Sequence, residues 1–317
     1  MKRGLILALG LLVAGAVAAV ASATYRGANG VVAYDDGSVF PSRIGVVNPD
    51  GSGERTLTQR GDHWPRWSSD GRQIVFFSTR DDSGATTDAA DAEIFTMNAD
   101  GSDQTQLTFN DVEDQTPEWT PDGRIVFARR SGPGRWDIWI MNADGTGQRQ
   151  LTNLGGVSVW PAPAPTGGQL AFASNYLGRF HIFTIRLDGT HLRQVTNDSL
   201  EDWGAEWSPT GNEIAFQREV PDPSTSAGAQ EHVWVVHADG TDPRQLTNDP
   251  ARADTFPTWS PDGAYVIFYA ATDWFGPNWH SKIVAYSMKT GEESTIGRPD
   301  IGGAPSWQPL PTPHPNS

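Results

Sequence analysis

Residues 116–152, TPEWTPDGRIVFARRSGPGRWDIWIMNADGTGQRQLT, hold the clearest copy of a unit that recurs along almost the whole chain. The unit begins with an extended run that ends at Trp119, and Asp122-Gly123 then tolerates the positive φ angles of a tight hairpin turn. Two further extended runs (124–129 and 137–141) follow, and a polar turn (142–145) leads to a fourth (148–152). Four short antiparallel strands in a unit of this length are typical of a β-propeller blade, which needs a neighbour on each side to bury its sheet faces.

Aligning the units on the residue that ends the first strand shows how many blades the chain holds. The aligned positions are Trp67, Trp119, Pro163, Trp207, Trp259 and Trp307. The steps between them are 52, 44, 44, 52 and 48 residues, which match propeller spacing. We predict an all-β, six-bladed propeller of four-stranded antiparallel blades, with each tryptophan ring packed between adjacent blades. Because Pro163 cannot donate a ladder hydrogen bond, its strand should lie at a sheet edge, as the innermost strand of a blade does.

The two ends of the chain each supply part of one blade. Residues 31–34, 43–47 and 55–58 form strands two, three and four of a blade that lacks a first strand. Trp307 lies in a first strand that lacks the other three. We predict that these strands pair and close the ring, because closure removes exposed sheet edges.

The N-terminal segment, residues 1–23, has the pattern of an export signal. Lys2 and Arg3 precede an apolar run (5–20), and Ala21-Ser22-Ala23 forms a small-residue cleavage site. The rival interpretation is an uncleaved membrane anchor, although the apolar run falls just short of a comfortable span. We expect a signal peptide (1–23), a propeller (24–309) and a disordered tail (310–317), in a chain exported to the periplasm or the extracellular space.

Composition narrows the class of protein further. The 317 residues include 34 glycines and 23 prolines, so turns are abundant and long helices improbable. The absence of cysteine removes disulfides, thiol catalysis and cysteine-bound zinc. The formal net charge is −15, which makes nucleic acid a poor partner because binding phosphates needs a basic face. The acidity either keeps the protein soluble or forms an acidic docking surface.

The repeated pattern D-x-x-P-x-W-S-P-D-G, followed by I-x-F, an aromatic strand, N-A-D-G and L-T, resembles the TolB-like family of bacterial β-propellers. The resemblance covers residues 30–309 and implies six blades and export. TolB itself carries an α/β domain before its propeller. Only residues 24–29 separate the expected cleavage site from the first strand, so we expect that domain to be absent. Similar propellers also form pectin-fragment lyases or precede hydrolase domains, but the sequence has no G-x-S-x-G nucleophile elbow.

The loops that enter the first strands should lie on one face of the ring, around the channel mouth. Four aspartates each lie five residues before their tryptophan: Asp62, Asp114, Asp202 and Asp254. Four carboxylates around one mouth can hold a cation or the positive end of a partner, or each can instead tie its own loop by a side-chain hydrogen bond. The next position varies between blades, which is more typical of a binding surface, and it holds His63 and Trp203.

The loops between strands two and three should reach the same face. Residues 81–93 are acidic, with calcium as a remote alternative to a solvated loop because the ligand spacing is irregular. Residues 273–280 hold Trp274, Trp279 and His280, which either bind a sugar or protein partner or fold over their own blade as a lid. His181 and His232 share a repeat position with varied polar residues and are expected at the surface. No catalytic residue, metal site or cofactor is predicted.

Three functional hypotheses follow. The first is a monomeric, non-catalytic, exported propeller that binds a protein or cell-envelope component through its channel-mouth face. The alternative is a carbohydrate-active enzyme, a polysaccharide lyase or glycosidase, that uses carboxylates and His63 at the mouth on an oligosaccharide. The enzyme predicts strongly shifted carboxylates or histidines there, whereas a binding face predicts ordinary titration. The third is a purely structural propeller.

Overall fold

The computed structural model describes residues 27–36, 41–80, 92–222, 229–272, 280–299 and 303–310. Within these residues the chain folds into six four-stranded antiparallel sheets and contains no helix. The predicted six-bladed propeller is therefore confirmed. The predicted export signal (1–23) and the loop residues 81–91 and 273–279 lie outside the described residues.

The strands follow one another in the order that the repeat predicts. In chain order they are β1 Ala28–Asp36, β2 Arg43–Val47, β3 Arg55–Thr56, β4 Asp62–Trp67, β5 Gln73–Ser78, β6 Glu93–Asn98, β7 Thr105–Gln106, β8 Asp114–Trp119, β9 Ile125–Gly132, β10 Arg135–Met141, β11 Arg149–Gln150, β12 Ser158–Pro163, β13 Gln169–Ser174, β14 His181–Arg186, β15 Arg193–Gln194, β16 Glu201–Trp207, β17 Glu213–Pro221, β18 Ala229–His237, β19 Arg244–Gln245, β20 Ala253–Trp259, β21 Tyr265–Thr272, β22 His280–Ser287, β23 Glu293–Ile296 and β24 Ser306–Leu310. Blade A has the order β24-β1-β2-β3, and blades B to F each contain four consecutive strands, from β4 to β23.

Blade A closes the ring as predicted. β1 and β24 pair antiparallel, with Val32 opposite Trp307. On the face opposite the mouth, blade A is hydrogen-bonded to both neighbouring blades. The Gln308 side chain donates to the carbonyl of Gly71 in blade B at 2.7 Å, and Asn29 donates to Asp262 in blade F at 2.9 Å.

The aligned tryptophans fill the spaces between blades. All five rings are buried, with at most 6% of any residue exposed. Trp119 of blade C packs against Val75 and Ile94 of blade B, and the indole of Trp207 in blade E donates to the carbonyl of Ala162 in blade D at 3.0 Å. The predicted inter-blade packing is confirmed. β12, which contains Pro163, is an innermost edge strand, as expected.

The repeated Leu-Thr or Val-Thr pair ends each of the first five blades in sequence by a specific hydrogen bond. The threonine hydroxyl accepts a backbone N–H of the third strand, for example that of Ile138 to Thr152 at 2.9 Å. The same bond recurs at Thr58, Thr108, Thr196 and Thr247. This side chain therefore supplies an acceptor where the two-residue outer strand stops.

The aspartates of the later turns act through turn chemistry. Asp144 accepts both the backbone N–H and the hydroxyl of Thr146, at 3.0 and 2.6 Å. Equivalent pairs occur at Asp50, Asp100, Asp188 and Asp239. These hydrogen bonds lower the pKa of each aspartate.

Candidate functional site

The innermost strands are bulged where they approach the channel mouth. In β4 the register advances by three residues between His63 and Arg66 while β5 advances by two, so one extra residue is accommodated. The bulge recurs in β8, β12, β16 and β20 and places one residue at positive φ: Trp64, Thr116, Trp160, Gly204 and Phe256. Bulky and β-branched residues adopt this conformation rarely, and a bulge re-aims a side chain.

Three of these residues, Trp64, Trp160 and Phe256, contribute to an aromatic cluster that we call the plug. Trp64, Phe256 and Tyr269 belong to one buried cluster, against which Phe77 and Trp160 pack. These five residues come from blades B, D and F, so their contacts join blades on different sides of the ring.

A buried charge cluster involves residues that immediately precede the aligned tryptophans. Arg66 lies 3.2 Å from Glu118 of blade C, and its charge also interacts with Glu206 of blade E and Asp35 of blade A. Arg66, Glu118 and Glu206 are fully buried. Burial lowers the pKa of Arg66 to about 10, opposed by the three carboxylates. Because blades B and E face each other across the ring, these charges tie its opposite sides together.

The four mouth aspartates are fully buried, and each forms an ion pair with an arginine. Their shared feature is a guanidinium within hydrogen-bond distance of the carboxylate. The pairs are Asp62 with Arg80 at 2.6 Å, Asp114 with Arg129 at 2.6 Å, Asp202 with Arg218 at 2.6 Å and Asp254 with Arg252 at 2.7 Å. The carboxylates therefore stabilise the blades, through an arginine and not only through their own loops. That they contact a ligand stays a prediction.

Each of these arginines also lies over an aromatic ring of its own blade. Arg129 is 4.7 Å from the ring centre of Trp139, and Arg218 is 4.8 Å from that of Trp234. The sequence analysis missed this arginine, although a signal exists. In blades C and E it follows the phenylalanine of the I-x-F strand by two residues. Blade D replaces the ion pair with two serines, Ser158 and Ser174, whose hydroxyls are 3.0 Å apart.

Two of the mouth carboxylates have shifted pKa values. Burial raises the pKa of Asp254 to about 6, against the opposing effect of Arg252. Burial likewise raises the pKa of Asp202, against the effect of Arg218. Shifts of this kind were expected of an enzyme. Here their cause is the loss of water around a carboxylate that already binds a guanidinium, so they do not by themselves indicate catalysis.

Of the predicted site residues, His63 is partly exposed at the mouth and contacts a buried carboxylate. Its Nδ1 lies 3.4 Å from Oδ2 of the buried Asp35, and 16% of its side chain is exposed. The imidazole stacks on Phe77 at 5.2 Å. Trp203 is instead 95% buried and contacts Phe180 of blade D. The two residues therefore do not share one exposed surface.

The second group of predicted site residues is described only in part. Trp274 and Trp279 lie outside the described residues, as does the acidic stretch 81–91. His280 begins β22 opposite Thr272 and is exposed. Among the residues that the structure describes, no group of three or more histidines and carboxylates is arranged to hold a metal ion.

The expectation that His181 and His232 lie at the surface was wrong. Both are buried, and burial lowers the pKa of each. Glu93 and Asp137 occupy the same repeat position and are also buried. Glu93 accepts the backbone N–H of Asn110 at 2.8 Å. At Glu93 the loop after the fourth strand therefore covers this position.

Exposed apolar side chains on the mouth face escaped the sequence analysis. Phe109, in the loop before β8, has 74% of its surface exposed, and Val112 in the same loop has 38%. Leu177, between β13 and β14, has 57% exposed. The loop that carries Phe109 is fixed by Asn110, which donates to Asp114 at 2.9 Å and accepts the N–H of Val112 at 3.1 Å. We call these three residues the apolar rim.

Comparison with solved structures places the fold beside a known propeller. TolB from Acinetobacter baumannii superposes with a TM-score of 0.68 at 20% identity, over 88% of this chain and 67% of that one. A putative TolB from Agrobacterium tumefaciens gives 0.64 at 20% identity, over 84% of this chain and 88% of that one. The chain has the fold of the TolB propeller. This matches the resemblance seen in the repeat.

Two further comparisons give lower similarity. An oligogalacturonate lyase, solved in complex with manganese, gives a TM-score of 0.51 at 15% identity, over 86% of this chain and 74% of that one. The uncharacterized protein Atu1656 of Agrobacterium fabrum is 27% identical over 99 residues, so the match spans 31% of each chain. No family model matches the sequence. Within the described part of the chain, no helix has the length and apolar character needed to cross a membrane.

Proposed function

We propose that this chain is a non-catalytic, exported propeller that binds a protein or cell-envelope component through its channel-mouth face. The observation that carries the proposal is the apolar rim of Phe109, Val112 and Leu177 on that face. A large apolar side chain held by a rigid loop loses little conformational freedom on binding, which favours its use as an anchor. The likeness to the TolB propeller and the export pattern of residues 1–23 support the same proposal.

The chemistry around the mouth also favours binding over catalysis. The four aspartates at equivalent positions are engaged by arginines, whereas the next position differs in every blade. A repeated buried pair is typical of a scaffold, and a varied position is typical of a surface that has specialised. The carbohydrate-active enzyme stays an alternative prediction. Among the described residues, we assign no pair of carboxylates to the roles of general acid and general base.

The test is retention of a partner from the organism's envelope extract by the immobilised protein. The double variant Phe109→Ala and Leu177→Ala removes the most exposed part of the apolar rim and leaves the ion pairs intact. The matched control is Leu192→Ala, since Leu192 is 36% exposed on the opposite face. We expect one protein to be retained by the native chain and by the control and lost from the double variant. Equal retention by all three would contradict the proposal.

The test avoids the buried aspartates. Changing Asp62, Asp114, Asp202 and Asp254 to asparagine would remove the buried carboxylate partner of four arginines, of which, among the described residues, only Arg218 and Arg252 keep another carboxylate within 3 Å. Loss of folding would then imitate loss of binding. A separate sedimentation measurement on the native chain checks the expectation that it is a monomer.

A further inference from the structure

Three glutamates on the mouth side of blade E form what we call the acidic row. Glu219 in β17 is flanked in the sheet register by Glu201 in β16 and by Glu231 in β18. Side chains directly opposite each other in antiparallel strands project from the same face of the sheet, so the three carboxylates are neighbours. Each of the three residues is half-buried, so part of the row remains in contact with solvent.

The acidic row carries more negative charge than the cation beside it can offset. The guanidinium of Arg179 lies 3.9 Å from Glu201, and its charge also acts on Glu219. Among the described residues, this is the cation that opposes the row, and 59% of its side chain is exposed. Burial raises the pKa of all three carboxyls, and Glu219 adds to the effect at Glu201 and Glu231. A second cation at the row would offset this electrostatic cost.

Leu177 of the apolar rim belongs to the loop that contacts the acidic row. The side chain of Arg179, two residues further along this loop, is the one that reaches Glu201 of blade E. The next residue, Phe180, packs against Trp203 of blade E with the ring centres 5.9 Å apart. These two contacts join the loop of blade D to blade E. An exposed apolar side chain and an excess of carboxylates are therefore held next to each other on one surface.

We propose that Leu177 and the acidic row together dock a protein segment in which a large apolar side chain lies close to a lysine or an arginine. The apolar side chain packs on Leu177, and the cation binds the carboxylates of Glu201 and Glu219. Charge complementarity selects this occupant, because the row attracts a basic segment and repels anionic lipids and acidic glycans. The inference rests on the proposed function and names the chemistry of the partner.

Random peptides displayed on phage, selected on the immobilised full chain, supply defined probes. We expect the selected peptides to be enriched in large apolar residues and in lysine and arginine relative to the unselected library. One selected peptide is then synthesised with a fluorophore, and its affinity is measured by fluorescence anisotropy. The double variant Glu201→Gln and Glu219→Gln should bind this peptide about three- to tenfold more weakly, the range of one or two partly exposed ion pairs.

A double-mutant cycle shows whether the peptide's cation meets the row. Replacing that lysine or arginine by alanine should weaken binding to the native chain by the same factor and should have no further effect on the double variant. The matched control, Asp242→Asn with Glu292→Gln, removes two charges from exposed turns on the opposite face and should leave the affinity unchanged. Because the carboxylates of the row repel one another, the double variant should keep the melting temperature of the native chain or exceed it.

The outcomes separate this inference from the proposed function. Peptides that need Leu177, as shown by Leu177→Ala, but are not enriched in lysine or arginine would overturn the inference and leave the proposed function standing. Equal affinity of the native chain and the double variant would have the same meaning. Failure to select any peptide, or binding to phosphatidylglycerol vesicles that Leu177→Ala abolishes, would also overturn the inference. The proposed function fails separately, if the apolar-rim variant retains the envelope partner.

Discussion

At the scale of single residues, the blades combine buried ion pairs with aromatic contacts. Asp114 is fully buried, and it accepts hydrogen bonds from Arg129 at 2.6 Å and from Asn110 at 2.9 Å. A buried charge that loses its partner costs more than the pair itself contributes. The repeated arginine is therefore needed because the aspartate is buried.

Replacing Arg129 by methionine should destabilise the chain by about 3–5 kcal/mol, because it leaves the carboxylate of Asp114 buried without its counter-charge. The measurement is urea unfolding at pH 7. The matched control is Arg124→Met in the same blade, where the pair with Asp122 is exposed and its loss should cost less than about 1 kcal/mol. The double variant with Asp114→Asn should recover part of the loss, and equal effects of the two single variants would contradict this account.

Three glutamates stand side by side in blade E. Glu201 lies opposite Glu219 in the register of β16 and β17, and Glu219 lies opposite Glu231 in that of β17 and β18. Burial, reinforced by Glu219 and opposed by Gln217, raises the pKa of Glu231 to about 7. The folded chain therefore binds a proton at this carboxyl that the unfolded chain has already lost above about pH 4.3.

This shift predicts that the free energy of unfolding falls as the pH rises from about 4.5 to 7, because the folded chain binds more protons than the unfolded chain in this range. Glu231→Gln should remove part of that fall and raise the free energy of unfolding at pH 8 by on the order of 1–2 kcal/mol. This value is smaller than the full pKa shift would give, because Glu231 is partly exposed and water screens its charge. Thermal unfolding across this range checks it, with Glu292→Gln on an exposed turn as the control. A slope that is the same in both variants would exclude Glu231 as the cause.

At the scale of elements, the first strand of each blade determines both packing and the mouth. In blades B, C, E and F its last residue is a buried tryptophan, and in blades B, D and F the bulge three residues before the strand ends places an aromatic side chain in the plug. The strand therefore carries two structural roles in about six residues. This explains why its pattern is the strongest part of the repeat.

Replacing Trp207 by alanine should lower the free energy of unfolding by about 3–5 kcal/mol, because the ring loses its packing between blades D and E and its hydrogen bond to Ala162. Chemical denaturation measures the change. Tyr265→Ala, at an aromatic residue that is 37% exposed, serves as the control and should have a much smaller effect. A loss below about 1 kcal/mol for Trp207→Ala would rule out inter-blade packing as its main role.

At the scale of the whole molecule, the ring depends on strands from both ends of the chain. In β24, Trp307 packs in a core shared with blade F, and the Gln308 side chain is hydrogen-bonded to blade B. Because this pairing closes the ring, we expect the six blades to unfold as one cooperative unit.

Deleting residues 304–317 removes β24 and should open the ring, at a cost of more than about 5 kcal/mol, the sum of a buried tryptophan and a row of ladder hydrogen bonds. The exposed edge of β1 should also promote association. Melting temperature and light scattering measure both effects. Deleting only residues 311–317 keeps β24 and should change neither, and an unchanged melting temperature in the longer deletion would refute closure by this strand.

The sequence by itself determined the number of blades, their strand order and the closure. Those features depend on local periodicity, on turn residues such as Asp122-Gly123 and on tryptophans at regular spacing, all of which are readable along the chain. It also located His63 and the four aspartates on the mouth face. Tertiary structure alone decided that the aspartates are paired with arginines, that Trp203, His181 and His232 are buried, and that Phe109 is exposed. Burial and ion pairing depend on which side chains from other strands and blades arrive at the same place, and a linear pattern carries no record of that.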